Sequence, residues 1–299
     1  MAAGRRKISR GRKIFQGFNY LFLTAAGLLC LLPFINLLAV SFSSSTAVAA
    51  GAVTFWPKDF TLSSYSFVMS SSKFMTAFWI SIKRVLLGVS LNMVLMICTA
   101  YPLSKSKKDL TGKNIYTWYF VITMLIGGGL IPTYLVMVKL KLLNSLAALI
   151  LPGALPVYNM IILMNFFKST PEELEEAAQI DGAGTWTILW KVVLPISKPA
   201  LATVALFCIV NHWNSWFDGL IYMNNPNKYP LQSYLQTLVI NPEQMLRVAG
   251  SDYTKLLTMV NARTGRAAQL FLGALPILIV YPFLQKYFSS GLLMGSVKG

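Results

Sequence analysis

The residues best suited to chemistry gather in one apolar neighbourhood: Asn211, His212, Trp213, Asn214, Ser215, Trp216, Asp218 and Tyr222. Ser215, His212 and Asp218 have the types of a nucleophilic triad, but on a single helix these positions spread around the axis rather than converge, so no catalytic set is expected. His212 is the only histidine of the chain and Asp218 the only carboxylate near it, so no metal site is expected either. Binding chemistry remains. Ionisable groups in an apolar span are costly and face a bundle interior or a wet path. Amides beside aromatic rings suit a sugar, whose hydroxyls hydrogen-bond and whose ring faces stack. Asn211, His212, Trp213, Asn214, Trp216, Asp218 and Tyr222 are therefore the candidate substrate path. The competing reading is that Asn211, His212 and Asn214 hydrogen-bond this helix to its neighbours while the tryptophans anchor at the interface. Lys83 and Arg84, beside Ser81 and Asn92, pose the same alternative: they snorkel outward, in which case the span begins near Val85, or they line the path.

A second group is acidic. Glu172, Glu173, Glu175, Glu176 and Asp181 are five of the ten acidic residues in the chain. Like charges three and four residues apart on a helix cost about 0.2–0.5 kcal/mol per pair. The helix dipole returns about 0.3–1 kcal/mol for carboxylates of the first turn. Glu176 lies past that turn, so a basic groove on a partner accounts for it better than helix stability does. No Gly-x-x-x-x-Gly-Lys-Ser/Thr stretch occurs, so there is no visible phosphate cradle and any energy must be borrowed.

The elements that must hold these groups follow from composition. The chain has 299 residues, 55% hydrophobic and 12% charged, with mean hydropathy +0.58, more apolar surface than a water-soluble domain of this length can bury. Lipid is part of its solvent. Segments near 15–42, 74–103, 115–138, 146–167, 200–223 and 267–288 each offer roughly 20 mostly apolar residues, enough for a hydrocarbon core of about 30 Å. Backbone amides have no water there, so the spans are helical and the fold is all-α with six transmembrane helices. Cys30, Cys98 and Cys208 sit in apolar runs without paired spacing and read as packing residues.

Arg5, Arg6, Lys7, Arg10, Arg12 and Lys13 in the tail 1–14, with Lys105, Lys107, Lys108 and Lys113 in the next short connection, place both on the cytoplasmic side. Six spans then put both termini inside. Ala47-Val48-Ala49-Ala50 imitates a signal-peptide cleavage site, but the apolar run 21–40 exceeds the usual core of about 7–15 residues. Residues 15–299 read as one six-helix transmembrane domain, with an inner loop 168–195 and an outer loop 224–266. In the outer loop Lys228, Arg247, Lys255, Arg263 and Arg266 outnumber Glu243 and Asp252. That surface suits an acidic partner or an anionic saccharide.

The inner loop reads as a tight helical hairpin. Thr170 is the expected N-cap, Pro171 the first helical residue and Glu173 the capping-box partner. Gly182 supplies positive φ where the first helix ends near Asp181. A second helix from Thr185 stops before Pro195, with Trp186, Ile188, Leu189, Trp190 and Val193 as a broad apolar face suited to lying against the membrane spans and Lys191 pointing away.

Glu176, Ala177, Ala178, Gly182, Val192, Leu194 and Pro195 match the pattern of the EAA loop, and the segment resembles that loop in permease subunits of ATP-binding-cassette importers. Asn165-Phe166-Phe167-Lys168 through Asp181-Gly182-Ala183, His212-Trp213-Asn214-Ser215-Trp216-Phe217, and Gln285-Lys286-Tyr287-Phe288 through Gly295-Ser296-Val297-Lys298-Gly299 are similar to the maltose-type carbohydrate subfamily. Tyr229-Pro230-Leu231-Gln232 and Tyr281-Pro282-Phe283-Leu284-Gln285-Lys286 resemble its LplC-type branch for oligosaccharides and polysaccharide fragments. The resemblance implies the MetI-like type I importer fold and the cell membrane of a bacterium. Its implied partners are a second homologous permease, two ATPase subunits that carry the ATP and Mg, an extracytoplasmic solute-binding protein and a saccharide; no nucleic acid and no cofactor on this chain are expected. It implies that Glu176, Ala177, Ala178, Asp181 and Gly182 couple to the ATPase: Glu176 on a basic side chain, the alanines allowing close approach, Gly182 making the turn. The alternatives are a non-transporting scaffold that recruits a cytosolic partner, or a permease for a non-sugar solute.

Overall fold

Fifteen α-helices order the residues that the structure, a computed structural model, describes: 10–106, 110–240 and 262–295. They are α1 (Arg10–Ser41), α2 (Ser45–Ala49), α3 (Ser63–Ser70), α4 (Ser72–Ser104), α5 (Lys113–Leu125), α6 (Leu130–Lys139), α7 (Leu146–Ile150), α8 (Val157–Lys168), α9 (Glu172–Ile180), α10 (Thr185–Ile188), α11 (Leu194–Ile196), α12 (Lys198–Asn214), α13 (Phe217–Tyr222), α14 (Leu231–Ile240) and α15 (Ala262–Gly295). Arg5, Arg6, Lys7, Lys107, Lys108, Glu243, Arg247, Asp252, Lys255 and the ending from Ser296 lie outside the described residues.

Three spans are unbroken: Gly11–Ser41, Ser72–Ser104 and Arg263–Pro282. The other three are bent pairs, and counting each pair as one span gives the six expected. The third span turns by 109° between α5 and α6, at Gly127-Gly128-Gly129, where Gly129 has φ 83°, a conformation that costs glycine little. The fourth bends by 50° between the helical segment ending at Gly153 and α8, where Pro152 and Pro156 supply no backbone donor. The span expected over 200–223 stops at Asn214; Ser215 takes an extended ψ of 119° and a short α13 follows. α12 is instead bent by 82° against the hairpin helix before it, at Ser197.

The chain divides into two compact units. One takes residues 1–71 and 242–272, the other 72–241 and 273–299. In the first, the segment after α1 is pinned back on the end of that helix: Ser41 shares a 2.7 Å hydrogen bond with Tyr65, the Lys58 amide donates to Ser43 Oγ at 3.0 Å, and the ring of Phe42 lies against those of Phe60 and Tyr65. In the second, α4 packs lengthwise on α8 and α12. Met96, Ala100, Leu103, Met160, Leu163, Phe167, Val204 and Cys208 fill the space between them. Lys83 is exposed, whereas Arg84 is buried and the helix runs through it unbroken, so the span does not begin near Val85.

Candidate functional site

The acidic group occupies α9, and its first turn forms without the expected cap. Pro171, at φ −57° and ψ 127°, precedes the helix and no side-chain cap bond is made. Thr170 Oγ1 is buried with no partner. Proline disfavours the helical conformation in the residue before it, and the helix starts at Glu172. The C-terminus follows expectation: Gly182 has φ 79°, the Gly182 amide donates to Gln179 O at 2.9 Å and that of Ala183 to Ala178 O at 2.9 Å, the paired bonds of a Schellman turn. Glu172, Glu173, Glu176, Ala177, Asp181 and Gly182 are exposed, while Ala178 is half-buried and packs on the core.

Among the described acidic residues of this hairpin, Glu175 has a cation partner within the chain, one that sequence reasoning missed. It pairs with Lys105 just past the C-terminus of α4, and Lys105 Nζ lies 4.2 Å from the centre of the Tyr101 ring. The pair sits in a cleft of about 890 Å³ that Glu172, Glu176 and Gln179 also line. Glu176 is exposed at the edge of that cleft.

The second hairpin helix corrects another expectation. Ile188, Leu189 and Val193 are buried, but Trp186 and Trp190 are 66% and 61% exposed, because residues four apart share a face and these two pairs lie on different ones. Leu189–Val193 widen into a π turn. Pro195 lacks an amide and its ring crowds the carbonyl four residues back, and the wider turn moves that carbonyl aside.

The polar band of the fifth span divides into two faces. His212 and Trp213 are buried. His212 Nε2 hydrogen-bonds Asn92 Oδ1 at 2.8 Å, Trp213 Nε1 donates to Gly273 O at 2.9 Å and its ring meets Phe78 edge-on. Asp218 receives the Arg84 guanidinium through both oxygens and also accepts from Ser215 Oγ at 3.2 Å and the Gly219 amide at 2.8 Å. His212 reaches neither Ser215 nor Asp218 as a partner. Tyr222 is buried and stacked on Tyr134. The other face carries Asn211 and Asn214, which border a shallow cavity of about 580 Å³ with Leu206, Phe207, Val210 and Tyr281, and Trp216, which is 40% exposed. Arg84 thus neither snorkels nor faces water; it is held by Asp218 and by Ser215 O at 3.3 Å.

Long apolar helices, bent helix pairs and a buried polar seam on α4 are the features of a membrane-embedded chain. The chain belongs to the family described as the binding-protein-dependent transport system inner membrane component, whose pattern it matches over residues 1–293. It is 39% identical over 295 residues to protein LplC of Bacillus subtilis (strain 168), covering 97% of both chains. To the polygalacturonan/rhamnogalacturonan transport system permease protein YtcP of the same organism it is 38% identical, over 96% of this chain and 99% of the relative. Its structure matches a chain in the crystal structure of a bacterial ABC transporter involved in the import of the acidic polysaccharide alginate, with TM-score 0.86, 34% identity, and coverage of 94% of this chain and 99% of that one.

Proposed function

We propose that this chain is one of two permease subunits of an importer for oligosaccharides or polysaccharide fragments, driven by ATP hydrolysis on partner ATPase subunits. The observation that carries the reading is the family match along residues 1–293, joined to relatives whose names concern saccharide transport. An extracytoplasmic binding protein delivers the sugar, and the chain sits in a bacterial inner membrane with both termini cytoplasmic. The scaffold alternative does not account for that match.

The hairpin supplies the coupling. Glu176 meets a basic side chain of an ATPase subunit, Ala177 and Ala178 allow close approach, and Asp181 with Gly182 forms the corner. Closure of the ATPase pair swings the hairpin and opens the permease outward, alternating access by rocking of packed bodies. The exposed Trp186 and Trp190 extend the same docking surface. In the path, Asn211, Asn214 and Trp216 are the side chains free to touch sugar. His212, Trp213, Asp218 and Tyr222 hold that face in shape.

Glu176→Lys or Gly182→Leu is expected to leave the chain inserted but to abolish assembly with the ATPase or to uncouple hydrolysis from uptake, because leucine is strained at φ 79°. Co-purification and uptake in proteoliposomes read this out, and full transport by both variants would show the hairpin to be passive. For cargo, a polyanionic saccharide is favoured over a neutral one, supported by the relatives that act on polygalacturonan and alginate and by the cations of the outer loop. Uptake of uronate and neutral oligosaccharides side by side decides it, and preference for the neutral sugar ends the uronate reading.

A further inference from the structure

Helix α4 carries one buried stripe of polar residues and glycine, and each of its three polar members holds a backbone group left open where another element breaks or begins. Ser81, Arg84, Gly88 and Asn92 recur every three to four residues and so share a face; Ser81, Arg84 and Asn92 are 1–2% exposed. Ser81 Oγ accepts the amide of Leu231 at 2.8 Å, the first amide of α14, which has no partner within its own helix. Arg84 donates to the carbonyl of Ser215, where the fifth span breaks. Asn92 Nδ2 donates to the carbonyls of Gly153 and Ala154 at 2.9 and 2.7 Å, where the fourth span breaks, while its Oδ1 meets His212. Gly88 makes room for that ring: a methyl group there would lie 2.5 Å from His212 Nε2. Irregular backbone at membrane depth is tolerated only where such partners exist.

The cytoplasmic end of the same helix is tied to the coupling hairpin through Lys105, Tyr101 and Glu175. Lys105 and Arg84 stand about 30 Å apart along a continuous helix. We propose that α4 is the rod that carries hairpin motion to the sugar-facing break of the fifth span, and that Arg84 is the positioning residue at its far end. This rests on the importer reading above and names the internal route by which it works. Arg84 touches no sugar. It acts by gripping Asp218 with two nitrogens and Ser215 O with one, so that Asn214, Trp216 and Phe217 follow α4 when the hairpin swings.

Lysine keeps the charge and loses the fork, so Arg84→Lys separates positioning from charge balance. The test uses the complete importer in liposomes, with Cys30, Cys98 and Cys208 replaced and a single reporter cysteine added as Ile180→Cys on the hairpin or Phe217→Cys at the break. The probe is a membrane-impermeant maleimide. In the Arg84 parent, ATP is expected to change the labelling rate of both reporters. In Arg84→Lys the hairpin reporter still responds, the break reporter does not, and saccharide moved per ATP falls about tenfold, as small misplacements at a working site do. A break reporter that still responds as in the parent overturns the proposal. Should Arg84→Lys fail to insert, the double variant Arg84→Met with Asp218→Leu provides the reading, since an apolar pair replaces a buried ion pair at little cost. It is expected to assemble without recovering the break response, and recovery would show the pair to be mere adhesive and sink the idea. A parent in which ATP alters neither cysteine also overturns it, whereas a parent whose cysteines respond but which moves no saccharide removes the cargo reading alone.

Discussion

Helices α1 and α4 are nearly the same length, 32 and 33 residues, and equally able to cross a bilayer, yet they are built for different surroundings. None of the apolar window of α1 is buried within the chain, against 28% of that of α4. Ile14, Phe15, Leu21, Phe22 and Leu29 of α1 are exposed, and so are its three glycines' surroundings, for nothing lies within 4 Å of a methyl placed on Gly11, Gly17 or Gly27. α4 instead shows one apolar side and one side of Ser81, Arg84, Gly88 and Asn92. Lipid does not drive two apolar helices together, so overall hydrophobicity says whether a helix inserts and not what it packs on. Polar atoms and glycine on one face do.

The largest test of that difference is Arg84→Ala. It leaves the Asp218 carboxylate half-buried without its cation, and breaking such a pair costs about 3 kcal/mol. Unfolding in detergent, followed by thermal shift, is expected to show that loss. Leu21→Ala in α1 is expected to shift the same curve by less than about 0.5 kcal/mol, since that side chain meets the same apolar solvent before and after packing. Equal losses at the two sites would erase the distinction between the helices.

Glycine sharpens the comparison because one substitution should change sign. Gly88→Ala forces a methyl against the His212 ring and is expected to cost about 1–3 kcal/mol, as overpacking does. Gly27→Ala meets nothing and is expected to gain about 0.5 kcal/mol from helix propensity. Thermal unfolding of both variants checks the pair of signs.

How much of this was legible before the coordinates depends on the range of the interaction. The helical class, the hairpin and the positive φ of Gly182 are local matters, written in apolar run length and in the spacing of Glu176, Ala177, Ala178, Gly182 and Pro195. The bend at Gly127-Gly128-Gly129 had a local signal too, but a run of apolar residues on either side masked it. Arg84 and Asp218 each stood out as ions in apolar surroundings. That they belong to each other is a contact across 134 residues, which no periodicity reports. The spacing of Ser81, Arg84, Gly88 and Asn92 does mark a single helical face and could have identified the stripe, though not its partners. Trp186 and Trp190 share their apolar character with Leu189 and Val193; angle around the axis separates them, and the tryptophans point away from the core.

A smaller expected loss of stability than at Arg84 lies at the Lys105 end of α4, and its interest is the contrast with Arg84 on the same helix. Glu175 and Lys105 have side chains 16% and 23% exposed and border an open cleft, so water competes for both ions. Glu175→Gln keeps the shape and a hydrogen bond to Lys105, and it is expected to lower stability by no more than about 1 kcal/mol. Its expected effect on coupling is larger than its effect on folding, because the hairpin then grips the rod through a neutral contact. ATPase activity should persist while saccharide moved per ATP declines, with added salt reducing the difference between parent and variant as it screens the parent's ion pair. A variant that lost stability as heavily as Arg84→Ala would mean that the cleft is dry and that the two ends of α4 are held by the same kind of interaction.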